Sequence, residues 1–337
     1  MSDKINILFT GATGYIGGAV LERLLKHPDA SRFHIIAIVR SQEKAEKLKK
    51  LGIDVVVGSH SDAHTVRDAA SKADVVFAVA DADNLDAASA MMQGLKQRFE
   101  KTGKKSVLIH TSGTGTLTDK ANGAFTYDKV YDDNDADQIE TLSDDADHRH
   151  VDLLVLKADK DGYVKTHIVL PSTIYGIYSG KLVDLGIQNP HSVQIPKLIK
   201  LGKERGQAGM CGKGQNTWPH VHINDIADLY INLYDAIVAN SPAPGHGREG
   251  YYFGENGHYR AGELAKAIAV ELAAHGVGKD EPTTFTEEEF NKDPMVGYFG
   301  TNSRAKGSRA RALGWKPKYT DKDFYASIKP EVNALLK

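Results

Sequence analysis

Three glycines stand three residues apart near the start of the chain, at Gly11, Gly14 and Gly17. An apolar run, Ile5 to Phe9, leads directly into them, and an amphipathic stretch follows. A glycine turn lets the backbone come close to a pyrophosphate, and the start of the next helix offers free N–H groups and the positive end of a dipole. The pattern therefore predicts a dinucleotide site, with a βα turn that holds no ligand as the alternative.

The end of the predicted second strand indicates which dinucleotide is bound. Arg40 stands there, directly after Val39, and no acidic residue accompanies it. An acidic side chain at this place holds the ribose 2′-hydroxyl of NAD, whereas arginine accommodates the 2′-phosphate of NADP through paired, charge-assisted hydrogen bonds. We therefore predict NADP in preference to NAD, with Lys44 as a second cation. The alternative is that Arg40 is a solvated surface residue.

A parallel sheet is needed to position these residues, and the sequence alternates strand and helix patterns in the way that such a sheet requires. Strands are predicted at Ile5–Phe9, His34–Val39, Asp54–Gly58, Asp74–Val79, Ser106–His110 and Lys165–Leu170, and helices at Gln42–Leu51, Ala63–Ser71 and Leu85–Thr102. The predicted fold class is α/β, with a doubly wound parallel sheet of the Rossmann type. Ligands of such folds lie beyond the carboxyl ends of the strands. The residues at those ends, and therefore further predicted cofactor contacts, are Ser59, His60, Ala80, Asp81, Thr111 and Ser112.

The pattern changes after Pro171, where glycine, lysine and proline replace the strand–helix rhythm. We predict a dinucleotide-binding domain from residues 1–176 plus 220–257, and a smaller substrate-capping region from 177–219 plus 258–337. The tail, residues 280–337, is predicted to be irregular. The acidic stretch from Asp132 to Asp147 is predicted to be a solvated loop rather than a metal site, and no metal is expected.

Composition limits the partners. The formal net charge of −2 gives no strong field for nucleic acid or an anionic membrane. No apolar run approaches the ~20 residues of a membrane span. One cysteine, Cys211, cannot form an internal disulfide. We expect a cytoplasmic protein with a small-molecule substrate.

The run from Thr10 to Gly17 resembles the cofactor motif of the short-chain dehydrogenases/reductases, especially their extended and atypical branches. Further segments resemble the epimerase/dehydratase-like and dihydroflavonol-reductase-like members: residues 168–176 (IVLPSTIYG), 219–228 (PHVHINDIAD), 250–254 (GYYFG) and 303–317, the last of which is similar to a terminal S-x-x-A-R-x-x-L-G-W-x-P signature. Together they cover nearly the whole chain. The resemblance implies a Rossmann fold and, since such dimers are common in the family, a homodimer formed through two long helices.

The resemblance also implies cofactor contacts in two segments. The glycine turn contributes Thr13, Tyr15 and Ile16, in addition to its glycines. The strand end contributes Pro171, Ser172, Thr173 and Ile174, because the backbone of that segment in the family cradles the nicotinamide amide.

The catalytic residues of the family are altered in this chain. The family uses a Tyr-x-x-x-Lys pair before the Pro171 strand, and no such pair is present. Alignment places Asp144 at the tyrosine position and His148 at the lysine position. Ser112 and Thr114 flank the place of the family serine. We therefore predict Ser112, Thr114 and His148 as catalytic residues, because hydroxyls can orient a carbonyl and imidazole exchanges protons near neutral pH. Weaker candidates for the proton donor are Tyr127, Tyr131 and Tyr175.

Three functions remain open from the sequence. The first is an NADP(H)-dependent oxidoreductase acting on a small carbonyl or alcohol substrate. The second is a non-catalytic NADP(H)-binding sensor or scaffold, which would keep the glycine turn without the tyrosine–lysine pair. The third is a sugar-nucleotide epimerase or dehydratase.

Overall fold

The computed structural model of the protein describes residues 4–240 and 243–337. The strands are β1 (Ile5–Thr10), β2 (Phe33–Val39), β3 (Asp54–Val57), β4 (Val75–Ala78), β5 (Ser106–Thr111), β6 (Tyr131–Asp132), β7 (Val164–Pro171), β8 (Thr173–Tyr175), β9 (Gly209–Met210), β10 (Thr217–His222), β11 (Tyr251–Gly254), β12 (His258–Arg260), β13 (Thr283–Thr284) and β14 (Ala305–Lys306). Short 3₁₀ helices lie at Ala30–Arg32, Thr114–Leu117 and Gly247–Glu249. The α-helices are α1 (Tyr15–Leu25), α2 (Gln42–Lys49), α3 (Ala63–Ala70), α4 (Leu85–Thr102), α5 (Ala136–Glu140), α6 (Arg149–Lys160), α7 (Lys181–Asp184), α8 (Gln194–Arg205), α9 (Ile223–Ala239), α10 (Ala261–Ala274), α11 (Glu287–Lys292), α12 (Pro294–Tyr298), α13 (Ser308–Ala312), α14 (Asp321–Ala326) and α15 (Ile328–Leu336).

The main sheet has the order β11-β7-β5-β4-β1-β2-β3, and its pairs among the described residues are all parallel. The order reverses between β1 and β4, so the chain winds to one side for β2 and β3 and to the other for β4 and β5. The predicted doubly wound parallel sheet is thus confirmed, and the six predicted strands end within one residue of the observed ones. A crevice opens at such a reversal, next to the carboxyl end of β1.

Both faces of the sheet are buried, as parallel sheets require. On β1, Ile7 and Phe9 point into one apolar cluster and Leu8 points into another, because successive residues of a strand face opposite sides. Helices α1 and α9 pack together on the first face, with Val20 and Leu24 of α1 fully buried. This packing fixes the start of α1 against the end of β1.

A separate apolar cluster lies outside the main sheet. Apart from Tyr175, its buried residues come from segments predicted to form the capping region, including Ile199 on α8, Ile268 on α10 and Phe324 on α14. The domain boundaries stay a prediction. The prediction of an irregular tail is wrong, because α11 to α15 form there. Capping boxes at Thr286 and Thr320 and the burial of Phe324 stabilise these short helices, despite their weak periodicity.

The acidic stretch also differs from the solvated loop that was predicted, since it contains β6 at its start and α5. Asp133 is 1% exposed, and its side chain accepts hydrogen bonds from the backbone N–H groups of Phe253 (2.9 Å) and Arg309 (2.6 Å). Burial raises the pKa of Asp133 to about 7. This carboxyl group therefore joins β11 to α13, a role that charge composition alone does not reveal.

In the part of the chain that the structure covers, helices of the length and apolarity needed to cross a membrane are absent.

Candidate cofactor and active site

The glycine turn brings α1 into direct contact with the end of β1. Gly11 has a φ of +79°, and a Cβ there would lie 2.7 Å from the carbonyl oxygen of Val79. A Cβ at Gly17 would lie 2.0 Å from the carbonyl oxygen of Gly11. Side chains are therefore excluded at both positions, which leaves the backbone open to a close ligand.

The start of α1 carries no side-chain cap and no acidic residue within the part of the chain that the structure describes. Gly14 is the N-cap residue, its position carries no side-chain hydrogen bond, and the first turn has no acidic residue. The N-terminal N–H groups of a helix lack acceptors within the helix and attract anions. The open cradle at Gly11 and Gly17, together with this uncapped start, fits the pyrophosphate of a dinucleotide.

Most of the predicted cofactor residues line one cleft of about 600 Å³. The predicted residues on its wall are Gly11, Thr13, Gly14, Tyr15, Ile16, Gly17, Arg40, His60, Ala80, Ser172 and Ile174. Arg40 follows β2 and is exposed. Asp81 is the only carboxylate among the described lining residues, and its Oδ2 lies 3.4 Å from Nε2 of His60. Ser59 does not line the cleft; its hydroxyl accepts the backbone N–H of Ser61.

Thr111 and Thr173 also lie away from the wall of the cleft. The hydroxyl of Thr111 is 2.7 Å from that of Tyr230, and the hydroxyl of Thr173 is 3.0 Å from that of Tyr259. Both threonines are buried. Successive side chains along a strand point to opposite sides, which explains this placement. Where one residue faces the ligand, its neighbour in the chain faces the core.

A second cavity, of about 930 Å³, adjoins the cofactor cleft. The two share the lining residues Ile16, Ser172, Ile174, Val193 and Gln194. The three predicted catalytic residues, Ser112, Thr114 and His148, lie on its wall. The predicted cofactor residue Pro171 lies there as well. The structure thus brings the predicted catalytic group next to the predicted cofactor group.

Ser112 is held by a buried carboxyl group. Its hydroxyl donates to Oδ2 of Asp152 at 2.9 Å, and Oδ1 of Asp152 lies 3.6 Å from Nε2 of His110. Burial raises the pKa of Asp152 to about 7 and lowers the pKa of His110 to about 4. Burial thus favours the neutral form of both groups, because a low-dielectric surrounding penalises charge. The carboxyl group fixes the direction of the Ser112 side chain.

His148 is oriented by Asp83. Nδ1 of the imidazole lies 2.7 Å from Oδ1 of Asp83, so the carboxylate accepts its proton in a hydrogen bond. Nε2 faces the glycine-rich loop after β5, since a Cβ at Gly113 would lie 3.0 Å from it. The residue has a φ of +64° at the N-cap of α6, a strained conformation for a side-chain-bearing residue. Nε2 is therefore presented to the second cavity.

Tyr298 is a site residue that sequence reasoning missed. A Cβ at Gly115 would lie 2.6 Å from the hydroxyl of Tyr298 and 3.3 Å from Nε2 of His148, so the phenol and the imidazole converge over this glycine. The Tyr298 ring packs on Trp218 with a centroid distance of 5.1 Å. Burial raises the pKa of Tyr298. No local signal marks this tyrosine, because the contact joins segments far apart in sequence.

The other tyrosine candidates, and Asp144, do not line either cavity. The hydroxyl of Tyr175 donates to the carbonyl of Thr320 at 3.2 Å inside the apolar cluster of the capping helices. The hydroxyl of Tyr131 accepts from Lys129. Tyr127 is exposed. These tyrosines therefore lie away from the walls of both cavities.

The glycine turn is also tied to the segment that follows β8. The side-chain amide of Gln188 donates to the carbonyl of Tyr15 at 2.9 Å, and the backbone N–H of Asn189 donates to the carbonyl of Thr13 at 3.1 Å. The hydroxyl of Tyr15 donates to the carbonyl of Gly176. The cofactor turn and residues 176–189 therefore form one hydrogen-bonded unit.

Comparison with known proteins assigns the chain to a family. The model of the NmrA-like family matches residues 3–97. Oxidase ucsJ of Acremonium sp. is 32% identical over 331 residues, which cover 92% of each chain. An uncharacterized protein of Schizosaccharomyces pombe is 25% identical over 329 residues, covering 94% of this chain and 96% of that protein.

Solved structures share the fold over nearly the whole length. UDP-glucose 4-epimerase of Thermotoga maritima, solved with UDP-glucose, has a TM-score of 0.64 and 16% identity, and the match covers 98% of both chains. dTDP-glucose 4,6-dehydratase of Bacillus anthracis, solved with NAD, has a TM-score of 0.61 and 16% identity, covering 98% of this chain and 96% of that one. The chain therefore belongs to the family of oxidase ucsJ, and it shares its fold with the epimerase and the dehydratase.

Proposed function

We propose that this protein is an NADP(H)-dependent oxidoreductase that interconverts a carbonyl compound and its alcohol. The observation that carries the proposal is the shared wall between the cofactor cleft and the second cavity, on which a serine hydroxyl and an imidazole stand. When bound, the nicotinamide supplies or accepts a hydride. The chain itself has to hold the substrate oxygen and provide or remove a proton.

Ser112 is placed to hold the substrate oxygen. Its hydroxyl is bonded to Asp152, whose pKa burial raises to about 7. In its protonated form, the Asp152 carboxyl can donate to the serine oxygen and leave the serine O–H free for a carbonyl oxygen in the cavity. The hydroxyl of Thr114 is buried and has no hydrogen-bond partner among the described residues.

His148 is the proton donor in reduction and the acceptor in oxidation. The contact of Nδ1 with Asp83 orients the ring so that Nε2 faces the cavity, where it can exchange a proton with the substrate. Tyr298 lies close by, but its raised pKa makes it a hydrogen-bond donor rather than an acid at neutral pH.

The preference for NADP rests on Arg40. It lines the cleft directly after β2, where an acidic residue would favour NAD instead. The Bacillus anthracis dehydratase was solved with NAD, which supports a nicotinamide cofactor in this fold.

Titration with both cofactors tests the choice. Arg40→Ala should weaken NADPH binding about tenfold or more, the effect of losing a charge-assisted hydrogen bond, and leave NADH binding unchanged. Lys49→Ala, which removes an exposed cation at the end of α2, is the control. Equal affinity for the two cofactors in both Arg40 forms would contradict the preference.

The activity itself is tested by following NADPH oxidation with a panel of aldehydes and ketones. His148→Gln should lower kcat about 100-fold and leave NADPH affinity intact, because only proton transfer is removed. His64→Gln, at an exposed histidine of α3 outside both cavities, is the matched control. Tight NADPH binding without turnover across the panel would refute the oxidoreductase proposal in favour of a non-catalytic sensor.

A further inference from the structure

The second cavity has a largely apolar wall. Its apolar residues include Ile16, Ile174, Val193, Trp218, Pro294, Met295 and Tyr298. Trp218 and Tyr298 present a packed aromatic pair. Val193 is 71% exposed, an unusual state for a large aliphatic side chain, and it lies where the two cavities meet. A ligand that spans this junction would cover it and remove apolar surface from water.

The charged groups of this wall are all acidic. Asp83, Asp145 and Asp147 line the cavity, and no lysine or arginine does so within residues 4–240 and 243–337. The hydrogen bond from Ser143 lowers the pKa of Asp145, with a smaller contribution from the charge of Lys120, but Lys120 is not a lining residue. Arg149 is buried beneath the wall, and its guanidinium donates to the hydroxyl of Tyr251 at 2.6 Å.

The two histidines of the wall do not reverse this balance. His148 is engaged by the Asp83 carboxylate, and Nε2 of His150 lies 3.0 Å from the Asp83 carbonyl oxygen. The uncapped start of α8 at Val193 adds the partial charge of a helix end, roughly half an elementary charge. With Asp83 engaged by His148, the carboxylates of Asp145 and Asp147 outweigh this partial charge, so the field in the cavity disfavours anions.

We propose that the second cavity selects an uncharged, ring-bearing carbonyl compound or the corresponding alcohol, and rejects anionic substrates such as nucleotide-linked sugars. The carbonyl part of this inference rests on the proposed function; the selection for an uncharged ring rests on the wall alone. A volume of about 930 Å³ has room for a ligand of drug size. An aromatic or alicyclic ring gains contact with Trp218 and Tyr298, whereas an anion would lose hydration without a cation to replace it.

A matched pair of ligands tests the selection in the NADPH-loaded protein. The pair is 2-acetylnaphthalene and its carboxylate, 6-acetyl-2-naphthoate, with UDP-glucose as a third probe, and binding is measured by calorimetry alongside turnover. We expect the neutral ketone to bind about tenfold or more tightly than the carboxylate, because of like-charge repulsion, and UDP-glucose not to bind. Equal or tighter binding of the carboxylate or of UDP-glucose would overturn the proposal.

The double variant Asp145→Asn/Asp147→Asn identifies the cause. It should raise the affinity for the carboxylate about threefold to tenfold and leave the affinity for the ketone unchanged. The gain for the carboxylate should be smaller at high salt, because exposed charges are screened. Asp144→Asn, in the same loop but outside the wall, should change neither ligand. An unchanged preference in the double variant would contradict the assigned role of these carboxylates.

Binding and turnover separate this inference from the proposed function. If the neutral ketone binds and is not reduced, the oxidoreductase proposal fails and the selection stands. If the ketone does not bind while other, anionic compounds are reduced, the selection fails and the oxidoreductase proposal stands.

Discussion

Replacing Asp152 by asparagine should change the pH dependence of the protein's stability. Asp152 is 0% exposed, and burial raises the pKa of its carboxyl group to about 7, whereas an unfolded aspartate titrates near pH ~3.9. Between these two values the unfolded chain loses a proton that the folded chain keeps. The free energy of unfolding therefore falls as the pH rises through this window, and the stabilising contribution is fully present only below it.

The size of the effect follows from the shift. One proton corresponds to about 1.4 kcal/mol per pH unit, so the wild-type protein should lose roughly 2 to 3 kcal/mol from this group between pH 5 and pH 8. The asparagine variant does not titrate there, and its amide can keep both contacts: the oxygen accepts from Ser112 and the nitrogen donates toward Nε2 of His110. The neighbouring His110 titrates in both proteins, so its contribution largely cancels in the difference.

Urea unfolding of both proteins at pH 5, 6, 7 and 8 measures this difference. Asp152→Asn should gain stability relative to the wild type by roughly 2 to 3 kcal/mol over the series. Asp144→Asn, at an exposed position of the preceding loop, should show no such trend. A difference that stays flat with pH, or that favours the wild type at pH 8, would refute the assignment of a raised pKa to Asp152.

Two further predictions concern the site, and a third concerns the buried cysteine outside it. Gly17→Ala should weaken NADPH binding by about 100-fold, because its Cβ would lie 2.0 Å from the carbonyl oxygen of Gly11. The control Gly297→Ala, whose Cβ would have its nearest contact at 3.8 Å, should bind NADPH normally. Calorimetry measures both affinities, and circular dichroism checks that both variants fold. Tyr298→Phe should lower kcat about threefold to tenfold and leave the NADPH affinity unchanged. A larger loss of kcat than in His148→Gln would indicate that Tyr298, and not His148, is the proton donor. Cys211 should resist iodoacetamide at pH 8 in the folded protein, because burial raises the pKa of its thiol to about 12. Rapid labelling seen by mass spectrometry would show that the segment around Cys211 opens to solvent.

The sequence predicted those parts of the protein that are determined by residues adjacent to one another in the chain. The glycine turn, the strand that precedes it and the helix that follows occupy adjacent residues, so their spacing is readable directly. Arg40 and His60 were predicted from one topological rule, that ligands lie at the carboxyl ends of parallel strands, and both line the cleft. Their roles toward a cofactor stay predictions.

The missed features depend on contacts between distant segments. Tyr298 reaches the cavity only because α12 packs near the loop after β5, and nothing within its own segment indicates that contact. Asp133 looked solvated because its neighbours are acidic, yet it bonds the backbone of β11 and α13. Thr111 was predicted as a cofactor contact from a strand end and Thr173 from the family resemblance. The side chains of both point toward buried tyrosines, and their contacts with a cofactor stay predictions.

The bonds from Gln188 and Asn189 to the glycine turn have a consequence for the order of events during turnover. A cofactor that fills the turn restrains the carbonyls of Thr13 and Tyr15, and through them the backbone on the substrate side of the fold. Binding of the cofactor therefore already orders part of that backbone, so the substrate loses less conformational entropy of the protein when it binds second. The two ligands should consequently bind cooperatively, and each should raise the affinity of the protein for the other by the same factor.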